Sequence, residues 1–211
     1  HNATPDRFVD GAALGEATFW LGADLPTGYH HVVAKAVDGE HRASLIVTPS
    51  FVGLPPAMRG KRIWGYGTQL YSVTSKGSWG IGDLADLIIW SGTRQFAGYV
   101  LINPLHAAQA VAPMEPSPYL PSSRRFINPI YIRPEAVPEF GALGRDERRQ
   151  VRALHKRAKA AGVKAGIVDR NAVWPLKLAA LRLIHAAGMR PARRIAYDDF
   201  RRREGVGLRN F

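Results

Sequence analysis

The side chains able to do chemistry in this sequence crowd into residues 103–139: Asn103, His106, Glu115, Ser117, Tyr119, Ser122, Ser123, Asn128, Glu135 and Glu139. Carboxylate chemistry on a glycosidic bond needs two carboxyl groups flanking the bond, and Glu115, Glu135 and Glu139 form no such pair in the sequence pattern. Binding is the more suggestive chemistry for this region, evenly matched by a proline-stiffened loop that packs Tyr119 into the core. In Pro116-Ser117-Pro118-Tyr119 the prolines fix φ, so Tyr119 is held at low entropic cost. A rigid phenol can stack on the apolar face of a polyhydroxylated ring while its hydroxyl hydrogen-bonds. Ser122, Ser123 and Asn128 add donors and acceptors, and His106, with Asn103 before it, lies at the end of the apolar strand. A lone histidine such as His106 is more often a hydrogen-bonded structural residue.

Other chemistries fall away. The chain has no cysteine, which removes thiolate nucleophiles and cysteine-bound metals. His30 and His31 are neighbours on a strand, point to opposite faces and cannot share a metal. No nucleophile-elbow GxSxG occurs. The turn Gly77-Ser78-Trp79-Gly80-Ile81-Gly82 lacks the spacing and the Lys-Ser/Thr of a phosphate loop. We expect no metal and no cofactor.

The elements that must position these residues follow from the punctuation. Residues 17–21, 29–37 and 42–48 read as strands, with Asp38-Gly39 as a hairpin turn. Three short strands suggest the end of a β-sandwich. The stretch 51–56, with paired prolines, reads as a linker. Residues 63–73 read as a strand. Asp83, with Asp86 three residues on, reads as the cap of a helix running to about Gln95 through Leu84, Leu87, Ile88 and Phe96. Tyr99-Val100-Leu101-Ile102 is a continuous apolar run, the mark of a buried parallel strand. Strand, helix, strand makes a βαβ unit, and the long proline-rich stretch after it leaves from a strand's carboxyl end. Three amphipathic helices follow, over residues 146–161, 171–187 and 191–203, with Pro175 in the first turn of the second.

The formal net charge is +12, but the first 144 residues hold equal numbers of basic and acidic side chains. The whole excess lies in 145–211. A nucleic-acid surface interleaves aromatics with its basic residues. Here Trp174, Tyr197, Phe200 and Phe211 sit among apolar helix positions instead, which favours packing and leaves no nucleic acid expected. No apolar run approaches the ~18–20 residues of a membrane span.

Ordered blocks then resemble a known family: Trp64-Gly65, Gln69-Leu70-Tyr71-Ser72, Ser78-Trp79-Gly80-Ile81-Gly82-Asp83-Leu84, Asn103-Pro104-Leu105-His106-Ala107, Pro116-Ser117-Pro118-Tyr119, and the run from Ser122-Ser123-Arg124-Arg125-Phe126 through Ile127-Asn128-Pro129-Ile130-Tyr131-Ile132. They resemble amylomaltases, the 4-alpha-glucanotransferases of glycoside hydrolase family seventy-seven, and Leu25-Pro26 with Gly28-Tyr29-His30 resembles the last strands of the β-sandwich in their long actinobacterial forms.

The resemblance implies an α/β fold: the N-terminal part of a (β/α)8 TIM barrel with a helical insertion, preceded by the end of a β-sandwich domain. Residues 1–56 would be sandwich and linker, 57–143 the first barrel strands, helix and substrate loop, and 144–211 the insertion. It implies a retaining double displacement that moves α-1,4-glucan segments between maltooligosaccharides in the cytoplasm. Tyr119 and Ser117 would touch sugar, with Asn103, His106, Ser123 and Asn128 as further substrate-binding positions. The family's catalytic carboxylates lie on later strands, so no catalytic residue is assigned and the rest of a parent chain is expected. A non-catalytic glucan-binding fragment and, further off, a basic nucleic-acid-binding protein are the alternatives.

Overall fold

The computed structural model describes residues 2–92, 97–164 and 166–211. The chain divides into two units, residues 1–61 and 62–211, each described by itself.

The first unit is two antiparallel hairpins. β1 (Asn2–Val9) and β2 (Ala12–Thr18) pair across Asp10-Gly11, both at positive φ (50° and 80°). That is the Asp-Gly conformation whose twist matches flanking strands. β3 (Gly28–Ala36) and β4 (Gly39–Val47) pair with Ala36 opposite Gly39, so the turn is Val37-Asp38, one residue earlier than the sequence suggested. The expected strand at 17–21 ends at Thr18 and extends backward to Ala12 instead. The two hairpins share no ladder, and none of the side chains described in residues 4–61 is buried. Trp20 is 81% exposed.

The second unit begins with β5 (Gly65–Thr68), α1 (Leu84–Gly92) and β6 (Tyr99–Ile102), with β5 and β6 parallel. The expected strand over 63–73 shrinks to four residues, because Leu70–Ser72 closes into a 3-10 turn. The helix cap forms as a reciprocal pair. Asp83 Oδ1 accepts from the amides of Ala85 (2.9 Å) and Asp86 (3.0 Å), and Asp86 Oδ2 accepts from the Asp83 amide (3.1 Å). Gln95 and Phe96, expected at the helix end, lie outside the described residues. β6 is not the buried strand its apolar run suggested. Val100 and Ile102 are half-buried while Tyr99 and Leu101 are exposed, because a continuous apolar strand needs cover on both faces.

Next come β7 (His106–Ala107) and β8 (Ser123–Ile127), antiparallel, and a chain of short 3-10 turns up to Ala142. α2 (Arg145–Ala161), the small hairpin of β9 (Val163–Lys164) and β10 (Ile167–Val168), and α3 (Arg170–Ala186) follow. Asp169 caps α3, accepting from the Ala172 amide at 2.9 Å. Pro175 therefore falls inside the helix rather than in its first turn. Burial of its neighbours Val173 and Trp174 offsets the roughly 3 kcal/mol an interior proline costs. α4 (Pro191–Arg209) runs past the expected Arg203 and breaks at Gly205 (φ 51°). It buries no side chain. It is tied by Arg193 to Glu139 (2.9 Å), Arg125 to Glu204 (2.6 Å) and a Phe126–Phe211 ring contact at 4.9 Å.

Two apolar clusters hold this unit. Leu70, Ile81, Ile130 and Val173 centre one; Trp79, Val151, Ala158 and Ile184 centre the other. The glycine-rich turn is the seat between them. A Cβ on Gly80, whose φ is 79°, would lie 2.4 Å from the Ala158 carbonyl oxygen, and one on Gly162 would lie 2.2 Å from Gly80 Cα. Backbone fills the space where a phosphate cradle would need room. Around it, Trp79 stacks on His155 at 4.9 Å and donates to Glu135 at 2.8 Å. Asp83 and Asp86, fully buried, both pair with Arg133 (2.9 and 2.5 Å). Burial pushes the Asp86 carboxyl up, but hydrogen bonds from Ser75, Arg133 and Ser78 outweigh it and hold it below its usual value.

Candidate functional site

β5 and β6 end side by side, Thr68 opposite Ile102. At their carboxyl ends lies a cavity of about 440 Å³, walled by Gly67, Thr68, Gln69, Leu101, Ile102, Asn103 and Tyr119. The carboxyl ends of parallel strands are where α/β folds place ligands, since the following loops diverge there. Tyr119 comes from the proline-rich loop 50 residues beyond Gln69, and Gln69 Nε2 reaches its hydroxyl at 3.4 Å. The Tyr119 ring is 57% exposed, a phenol face open to a partner.

Gln69 is the residue that the pattern of candidate side chains missed. It stood only in a quoted motif, and its signal was its place one step past a strand. Its Oε1 is buried and accepts no hydrogen bond.

The predicted site residues divide by what their polar atoms do. Asn103 lines the cavity, but its amide is committed: Oδ1 accepts from the Leu70 amide at 2.6 Å, and Nδ2 donates to the Pro104 carbonyl (2.9 Å) and to Tyr131 Oη (3.1 Å). It fixes the two strand ends to each other. His106 Nε2 bonds the Pro118 carbonyl at 2.6 Å. Ser117 Oγ accepts from the Tyr119 amide at 3.2 Å. Ser123 Oγ accepts from the Arg125 amide at 3.1 Å, and Asn128 Oδ1 from the Ile130 amide at 3.1 Å, capping a 3-10 turn. The structure thus brings Asn103 and Tyr119 to one cavity, places His106 and Ser117 on the loop that carries Tyr119, and puts Ser123 and Asn128 in local turns along β8.

The carboxylates face elsewhere. Glu115 accepts from the Ser117 amide at 2.9 Å, Glu135 pairs with His155 at 3.2 Å, and Glu139 pairs with Arg193. Among the described residues no three His, Asp or Glu side chains group as metal ligands, and no helix is long and apolar enough to cross a membrane.

Residues 68–211 match the family model of 4-alpha-glucanotransferase, glycoside hydrolase family 77. The chain belongs to that family. Residues 1–49 match the MalQ N-terminal beta sandwich domain. The 4-alpha-glucanotransferase of Mycobacterium tuberculosis (strain H37Rv) is 46% identical over 219 residues, spanning 100% of this chain and 30% of that protein. That of Haemophilus influenzae is 37% identical over 164 residues, 74% of this chain and 23% of its own length. The crystal structure of amylomaltase from Corynebacterium glutamicum superposes with a TM-score of 0.74 at 39% identity, over 99% of this chain and 30% of that one. The family member described here therefore spans 30% of the length of these first relatives.

Proposed function

We propose that these residues form the opening of a (β/α)8 barrel in a 4-alpha-glucanotransferase, with α2–α4 as a helical insertion and the two hairpins as the end of a β-sandwich. In this reading the protein transfers α-1,4-glucan segments between maltooligosaccharides by a retaining double displacement, using carboxylates from further barrel strands. These 211 residues supply part of the glucan-binding wall. The observation that carries the proposal is the exposed Tyr119 face in a cavity at the carboxyl ends of β5 and β6. A glucose ring presents axial C–H groups to a phenol face and hydroxyls to its oxygen, which is the complement of that wall. The proposal includes a cytoplasmic setting and no nucleic-acid partner.

The test is chromatography of the intact protein incubated with maltotriose. Glucose together with a ladder of longer maltooligosaccharides is the expected product set, and its absence sinks the reading. Because the carboxylates at hand are committed elsewhere, the 211 residues alone should bind maltoheptaose in calorimetry without cleaving it.

A further inference from the structure

The loop that carries Tyr119 has few ways to be held. Pro116 and Pro118 have no N–H to give. The two amides between and after them are used within the loop itself, Ser117 to Glu115 and Tyr119 to Ser117 Oγ. Backbone groups in a loop still need partners. Three residues past Tyr119 the Ser122 amide bonds the Ala107 carbonyl at 2.9 Å. Directly beside Tyr119 the tie is the Pro118 carbonyl, gripped by His106 at 2.6 Å. A carbonyl only accepts, so His106 Nε2 carries the proton and donates.

The identity of that carbonyl matters. The C=O of Pro118 and the Cα of Tyr119 lie in one planar peptide unit. Gripping the carbonyl therefore fixes the N–Cα axis about which the tyrosine turns. The contact at the far end of the ring, Gln69 Nε2 to Tyr119 Oη at 3.4 Å, is too long to set the angle by itself. His106 is in a position to set it: it is half-buried on β7, in register with Ile127 of β8. The start of the loop is held independently by α3, through Trp174 Nε1 to the Ala110 carbonyl (2.9 Å) and the Met114 amide to Asn171 Oδ1 (2.8 Å).

We infer that His106 is a positioning residue, which fixes through the Pro118–Tyr119 peptide plane the angle at which the Tyr119 ring meets the cavity. The inference rests on reading that cavity as a glucan site, but its geometric core does not. The family resemblance implies a substrate contact at His106; in this assignment it acts on substrate only through Tyr119.

The experiment compares His106→Ala, His106→Gln and His106→Asn in the intact protein. The glutamine amide nitrogen reaches about as far as Nε2, and the asparagine amide falls short. Amide hydrogen exchange of the Tyr119 and Leu120 N–H groups should speed up in His106→Ala and His106→Asn and stay near wild type in His106→Gln. With maltotriose as substrate, KM should rise about five-fold in the first two, the worth of one ordinary hydrogen bond. The KM of His106→Gln should lie within about two-fold of wild type. Unchanged exchange in His106→Ala overturns the inference. Should that variant fail to fold, the Gln–Asn contrast decides, and identical behaviour of the two overturns it as well. A wild-type protein that makes no maltooligosaccharide ladder defeats the functional reading alone, while the exchange comparison still judges His106.

Discussion

The β3–β4 hairpin of the first unit and the α2–α3 pair of the second are both made from segments close in sequence, the first joined by a two-residue turn and the second by the small β9–β10 hairpin. Their side chains fare differently. Along β3 and β4 every residue is half-buried or exposed, whereas α2 and α3 bury Val151, Ala158, Val173, Ala180 and Ile184. The hairpin has nine matched residue pairs and a single register. It has no apolar face removed from water, and a lone two-stranded hairpin is marginal for that reason. The helices have burial and also long-range polar ties, His155 to the Ser78 carbonyl and Lys177 to that of Ile130, and elsewhere in the same unit Arg133 pairs with Asp83 and Asp86. A hydrogen-bonded ladder specifies which residues face each other, but removal of apolar surface and satisfaction of buried charge decide how much free energy holds them there.

The sharpest way to break this comparison is to remove a tie that only the second unit has. Arg133→Leu strips the cation from two fully buried carboxylates and should cost about 3–5 kcal/mol in urea unfolding. A loss below about 1 kcal/mol would mean that the second unit is held no more firmly than a hairpin.

A smaller effect comes from Lys177, fully buried, whose Nζ donates to the Ile130 carbonyl at 2.5 Å. Burial pushes its ammonium down to about 8 from an ordinary 10.5, against the attraction of Asp83, Asp86 and Glu135. The unfolded chain then binds more protons than the folded one across that interval, so stability should rise with pH from about 8 upward. The rise should be on the order of 2–3 kcal/mol by about pH 10. Above 10.0 it should be opposed by Tyr131, whose phenol burial holds neutral beyond its ordinary value despite the Asn103 bond. Thermal melts should show the rise in the second unit of the wild type and a flat profile in Lys177→Met. A rise that survives in Lys177→Met would assign it elsewhere.

Least is expected from the first unit. Gly11→Ala puts a Cβ into open space, so only the positive φ resists, at about 1 kcal/mol. Exchange of the β1–β2 amides should quicken while the second unit's unfolding midpoint stays fixed. A shift in that midpoint would couple units that the comparison treats separately.

What the sequence revealed follows the same divide. Features written within a few residues could be read directly. Asp83 with Asp86 announced a helix start, Tyr99-Val100-Leu101-Ile102 a strand, Gly162 a helix end, and Pro116-Ser117-Pro118-Tyr119 a stiff loop. The Asp10-Gly11 turn carried the same kind of local signal but was passed over, because β1 lacks a clean apolar alternation. Features set by distant partners were not legible. Nothing near Gly80 says that Gly162 will press against it, and nothing in an Arg- and Ala-rich stretch marks Lys177 as the basic side chain that goes inside. At the site, a hydrogen-bonded structural role was readable for His106, but the partners were not: the Leu70 amide that takes Asn103 and the Pro118 carbonyl that takes His106 lie 33 and 12 residues away. Gln69 shows the converse, an ordinary glutamine made noticeable by an acceptor with nothing bonded to it.

The attachment of α4 gives this unit two kinds of joint. α2 and α3 meet through buried apolar surface, while α4 is moored by Arg193–Glu139, Arg125–Glu204 and the ring contacts Phe126–Phe211 and His185–Tyr197. Ionic atmosphere acts on these joints differently. At physiological ionic strength charges are screened over about 8 Å, and further salt shortens that reach, weakening exposed guanidinium–carboxylate moorings. Strongly hydrated salts such as sulfate tighten apolar joints by being excluded from protein surface. Sodium chloride and sodium sulfate are therefore separate handles on one chain, the first loosening the last helix and the second clamping the pair before it.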